Sequence, residues 1–147
     1  MNLKERILDR KKTLLPFLSF IWVSGADGFV DQKEVESFRD VLGKGWNSKV
    51  FNELAISNLE NFDELTKNYY QGDIVRSLDS ISESLKVIQG NFIDNYSEFR
   101  SLAEDVISLS NYIAQSSGGF LGFFSVSKEE KRSIFQLERM VNNNFLA

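Results

Sequence analysis

The chain has 147 residues, enough to bury a core unaided, with thirteen Phe, two Trp and four Tyr to fill it. It contains no Cys and no His, which excludes a disulfide framework, a thiolate nucleophile, a Cys or His metal centre and a Ser-His-Asp triad. Its formal charge of −4 has the wrong sign for non-specific nucleic-acid binding, so the expectation is a protein that is neither an enzyme nor a nucleic-acid binder.

Helical periodicity dominates from the start of the chain. Leu3–Leu15 reads as a first helix, and Pro16 either opens a second helix in its first turn or kinks the first. Phe17–Val23 is apolar almost all round, as a central buried helix is. Gly25-Ala26-Asp27-Gly28 ends it, and a further helix runs from Asp31 to about Leu42 on Val35, Phe38, Val41 and Leu42. Gly43 and Gly45 stop that helix. Val50, Phe51 and Leu54 mark a short helix, and Phe62, Leu65, Tyr69 and Tyr70 another. Asp73–Ile88 carries a stripe of Ile74, Val75, Leu78, Ile81, Leu85 and Ile88, with Gly90 as its stop. Tyr96–Ala114 has the most regular face, Phe99, Leu102, Val106, Leu109 and Ile113. A glycine-rich stretch follows, then a last helix from Ser127 on Ile134, Leu137, Met140 and Val141. No run alternates at period two, so the fold expected is all-α, a single-domain bundle of about seven helices over residues 1–147.

Two regions resemble one another. "SFIWVSGADGFVDQKEVESFRDVL" spans 19–42, and "SNYIAQSSGGFLGFFSVSKEEKRSIFQLERMV" spans 110–141. Each is an apolar helix end, a glycine-bearing turn with Phe, then Val, then a cap-x-x-Glu helix start. Val30–Glu34 aligns with Val126–Glu130, and Asp27-Gly28-Phe29 with Gly118-Gly119-Phe120. The second region carries five extra residues, 121–125. Two related helix–loop–helix units, about 16–42 and 99–143, are the expectation. In "SGADGFVDQKEVESF" the chain resembles the TerB-like, tellurite-resistance-associated domains. These are all-helical and carry an Ala-Asp-Gly turn ahead of an acidic helix start, in two copies. The resemblance covers most of the chain in layout, and in motif Gly25–Glu34 and, more faintly, Val126–Glu130. It implies a cytoplasmic, stress-associated accessory or interaction domain, and a metal bound through Asp27, Asp31 and Glu34. Gly118 stands where the second copy would carry its Asp.

The acidic turn has three readings. As an EF-hand loop, with Gly28 sixth and Glu34 twelfth, it would place Val23 first and Gly25 third, where oxygen ligands are needed. As local structure, Asp31-x-x-Glu34 and Ser127-x-x-Glu130 are capping boxes, and Asp27-Gly28 is good turn chemistry. As a weaker ion site, Asp27, Asp31 and Glu34 would meet Glu130 or Glu129 across the bundle. A divalent cation (Mg²⁺, Ca²⁺ or Mn²⁺, given all-oxygen ligands) would relieve the repulsion, unless Lys33 and Lys128 do so instead. No other cofactor is implied.

"GGFLGFF" places Phe120, Leu121, Phe123 and Phe124 in a glycine-rich loop. They either plug the bundle or form an apolar loop, 118–125, that docks on a protein partner without any ion. Trp22 and Trp46 read as core or boundary anchors, and "VNNNFLA" as a fraying end. The run from Lys4 to Lys12 reads as a solvated face. No apolar stretch is long enough to span a bilayer, and no leader sequence is visible. The chain reads as cytoplasmic, with peripheral contact to a membrane surface left open.

Overall fold

The computed structural model describes residues 11, 13–26, 28, 32–40, 45–116 and 127–147, with backbone alone at Glu34 and Ser116. Its helices are α1 (Leu15–Ser24), α2 (Gln32–Asp40), α3 (Lys49–Glu60), α4 (Phe62–Tyr70), α5 (Leu78–Gln89), α6 (Tyr96–Ser116) and α7 (Lys128–Asn144), with a 3-10 turn at Gly90–Phe92. The described residues contain no strand, and the fold is an all-α bundle. Residues 3–10 and 12 of the expected first helix, Leu3–Leu15, lie outside the described residues. Of the basic run that begins at Lys4, Lys11 is described, and it pairs with Glu83 at 2.9 Å.

The centre of the bundle is α1, as its composition requires. Every residue of α1 except Trp22 is buried. Pro16 sits in its first turn, where a missing amide costs nothing. No side chain of the preceding residue caps this helix, and the first-turn amide of Phe17 donates instead to Asn58 Oδ1 at 2.8 Å. The Asn58 amide in turn donates to the carbonyl of Thr13 at 2.5 Å. One buried asparagine on α3 therefore fixes where α1 begins.

The core is continuous from α1 through α6, which is α1's most extensive neighbour. Phe17, Phe20, Phe38 and Phe62 form an aromatic cluster, with the Phe20 and Phe38 rings 5.0 Å apart and Phe17 edge-on to Phe62 at 5.9 Å. Such pairs add roughly 0.5–1.5 kcal/mol each beyond area burial. Leu102, Val106, Leu109 and Ile113 of α6 are buried, matching the stripe read from sequence. The packing is reciprocal: α2 lies on α6, and α7 lies on α1.

Two boundaries depart from expectation. The helix expected from Asp73 begins only at Leu78. Gly72 adopts φ +87°, and the amides of Asp73 and Ile74 both donate to the Asn68 carbonyl, which turns the chain sharply. Ser77 then caps α5, its hydroxyl accepting from the Ser80 amide at 3.1 Å. Ile74 is buried all the same, while Val75, counted in the stripe, is 61% exposed. The C-terminus does not fray as expected. Phe145 is buried beside the Phe99 ring, 5.9 Å away, and its carbonyl accepts from the Tyr96 hydroxyl.

Candidate functional site

The turn after α1 comes up against the first turns of α7. Between them lies a cleft of about 390 Å³ lined by Trp22, Ala26, Arg76, Lys128, Glu129, Arg132, Ser133 and Gln136. The two motif regions noticed in the sequence thus share one surface, built by the buried end of α1 and the capped start of α7.

Arg76 organises this surface. It stands in the short extended segment between α4 and α5, just before the Ser77 cap. Its Nε donates to the carbonyls of Ile21 (3.1 Å) and Trp22 (3.0 Å), and its Nη2 to the Trp22 carbonyl (2.5 Å). These carbonyls belong to the last turn of α1, the negative end of the helix dipole, so a cation there is stabilised. The guanidinium also lies 4.2 Å from the centre of the Trp22 ring, within cation–π range. Its Nη2 reaches across to the Ser133 hydroxyl at 3.0 Å, while Trp22 Nε1 donates to the Ser133 carbonyl at 2.7 Å. Arg76 and Trp22 together clamp the C-terminal end of α1 to α7.

Gly25 is needed for that clamp. Its φ of −85° is open to any residue, so conformation does not explain it. Space does: a Cβ there would lie 2.7 Å from the Ile21 carbonyl oxygen, 3.0 Å from the Tyr69 hydroxyl and 3.1 Å from Arg76 Cδ.

Of the residues expected to hold an ion, Asp27, Asp31 and the side chain of Glu34 lie outside the described residues. Glu130 is described, and it is only 5% exposed. The Ser127 hydroxyl accepts from the Glu130 amide at 3.1 Å and donates to Glu130 Oε1 at 3.0 Å. The amide bond is the N-cap expected of Ser127-x-x-Glu130, and the carboxylate reaches back to the Ser127 hydroxyl. Glu129 is exposed on the cleft wall. Among the described residues no group of three acidic side chains is placed to hold a metal. Among the described residues, the cleft is lined by three cationic side chains and one carboxylate. The expected docking residues Phe120, Leu121, Phe123 and Phe124 also lie outside the described residues. Beside the ends of α6 and α7 that this segment joins, Phe135 is 62% exposed, next to Ala114, Ile134, Lys131 and Glu138.

Sequence reasoning missed Arg76 and Asp105. Arg76 fell inside a stretch read as helix, where an arginine is an ordinary surface residue. Asp105 is the one buried aspartate among the described residues, 1% exposed on α6, and its Oδ2 accepts from the Ser48 amide at 2.8 Å. Burial pushes its carboxyl above the ordinary carboxylate value, against the amide hydrogen bonds from Ser48 and Asn47 that favour the charged form. Its chemistry is to hold the start of α3. No described helix is long and apolar enough to cross a membrane. The chain matches no family model, no curated protein and no solved structure.

Proposed function

We propose that this protein is a non-enzymatic accessory or interaction domain of the TerB-like kind, whose contact surface is the cleft between the α1 turn and the start of α7. One observation carries the reading. The guanidinium of Arg76 sits between the end of α1 and α7, bonded to α1 carbonyls and to Ser133 of α7. A built-in cation does there what a divalent ion would do in an acidic junction: it ties the units together and shapes their shared surface. The reciprocal packing of α2 on α6 and α7 on α1 supports two related units meeting at that point.

Thermal unfolding of wild type and Arg76→Met, each with EDTA and with Ca²⁺, Mg²⁺ or Mn²⁺, tests this. Losing charge-assisted hydrogen bonds and the stack on Trp22 should cost about 2–3 kcal/mol, and no ion should raise the wild-type Tm. The opposite outcome is a gain near ~2.7 kcal/mol at a hundredfold excess over Kd, abolished by Asp27→Ala. That would put a weakly held divalent cation at Asp27, Asp31 and Glu34 and remove the guanidinium reading.

A second reading is favoured by Phe135. Its exposed ring, beside Ala114 and Ile134, offers an apolar surface on the helix that follows the Phe-rich segment 118–125. A metal-free protein-binding module would use both. Deleting Leu121–Phe124 without loss of partner capture would rule that reading out.

A further inference from the structure

The described residues that line the cleft are net cationic, opposite in sign to the chain as a whole. The chain as a whole is net −4. Among the described lining residues, Arg76, Lys128 and Arg132 stand with one carboxylate, Glu129. Lys128 and Arg132 are four residues apart on α7, so they stand one above the other on one helix face, roughly 5–6 Å apart at Cβ. Both are exposed. Neither has an ion-pair partner among the described residues: the salt bridges there join Lys11 to Glu83 and Arg100 to Glu104. Lys128 is the first residue of a 17-residue helix, so the positive end of the α7 dipole points to the same place. Arg76 adds a third charge already fixed in position by the α1 carbonyls and Ser133, with little ordering left to lose on binding. Trp22 and Ala26 also line the cleft, contributing an indole and a methyl. A volume of about 390 Å³ is that of a small-molecule site.

We propose that this cleft binds a phosphate monoester dianion, its phosphoryl group between Lys128 and Arg132 and its organic part against Trp22 and Ala26. Two neighbouring cations one helical turn apart suit a group with two negative charges and several acceptor oxygens better than a single carboxylate. The mixed wall suits an ester carrying a small apolar body better than inorganic phosphate. The proposal rests on the reading of this cleft as the contact surface. Its failure would leave the Arg76 clamp, which thermal unfolding tests separately, unaffected.

Phenyl phosphate is a suitable probe, titrated at constant ionic strength in a Trp46→Phe background that leaves Trp22 as the only indole. Trp46 Nε1 is buried without a hydrogen-bond partner, so this change removes no bond. The expected result is a saturable change in Trp22 fluorescence that phenol does not produce. Affinity should fall at least about tenfold in Lys128→Ala/Arg132→Ala, two exposed positions whose loss leaves the core intact. It should also weaken as pH drops below about 6, where a phosphate monoester loses its second charge. A second arm uses phosphatidylcholine vesicles with and without phosphatidate. Cosedimentation with phosphatidate vesicles alone, lost in the double variant, would identify the monoester as a lipid headgroup, whereas binding of phenyl phosphate identifies a soluble ligand. Absence of saturable binding in both arms, or equal binding by the double variant, overturns the proposal.

Discussion

Gly25 shows how a single residue acts through space that its own sequence neighbourhood does not reveal. In a turn motif a glycine is ordinarily read as supplying a left-handed backbone, and Gly28, at φ +103°, does so. Gly25 does not, since its backbone is ordinary. Replacing it by Ala would on chain entropy alone stabilise by about 0.4–1 kcal/mol. The Cβ would however sit 2.7 Å from the Ile21 carbonyl oxygen, a backbone atom that cannot move without α1. Overpacking of this kind costs about 1–3 kcal/mol and wins. Gly25→Ala is therefore expected to lower stability in urea unfolding. Gly90→Ala, where a Cβ meets nothing within 4 Å, should be neutral or slightly stabilising. Equal effects at the two positions would refute the steric account.

Helix starts are decided by both local and distant groups. The α5 and α7 starts are local: Ser77 and Ser127 each accept from the amide three residues on, as their spacing announces. The α3 start is both local and distant, since the Ser48 hydroxyl accepts from the Phe51 amide at 3.1 Å while the Ser48 amide itself is held from afar, and the α1 start is distant only. Asn58 serves the Phe17 amide from 41 positions away, and Asp105 serves the Ser48 amide from 57. Asp105 makes a pH prediction possible. Its carboxyl is raised above its ordinary value of 3.8, chiefly by burial, so the folded state holds this proton more tightly than the unfolded chain. Its contribution is thus greatest at low pH and is lost as pH rises from 3.8 through the raised folded value, opposite to an ion-paired aspartate. The Tm difference, wild type minus Asp105→Asn, should shrink as pH rises through that window. A difference that grows instead would mean that the charged carboxylate is the stabilising form.

At the scale of the whole molecule, the last residues of the given chain are part of the core. Phe145 and Leu146 pack on the core, with Phe145 beside Phe99 and the Leu146 amide bonded to the Val141 carbonyl. Removing residues 145–147 should cost about 3–5 kcal/mol, the scale of losing a buried Phe, with a Tm drop in calorimetry of many degrees. A truncated chain that melts like wild type would show that the terminus contributes nothing to the bundle.

Much of this architecture follows from the sequence alone. The all-α class, the buried character of Phe17–Val23 apart from Trp22, the apolar stripe of α6 and the Ser127 cap on the Glu130 amide all follow from periodicity and local hydrogen bonding, which act within a few residues. Tertiary structure decided the rest. That Asp73–Ser77 turns away instead of continuing as helix depends on Gly72 and on two amides converging on Asn68, and that Phe145 is anchored depends on Phe99. That Arg76 closes α1 onto α7, and that Lys128 and Arg132 face the turn at Ala26, could not be read from spacing. A charged side chain far from its acceptors in sequence looks like any surface residue until packing brings the carbonyl ends and the cations to one place.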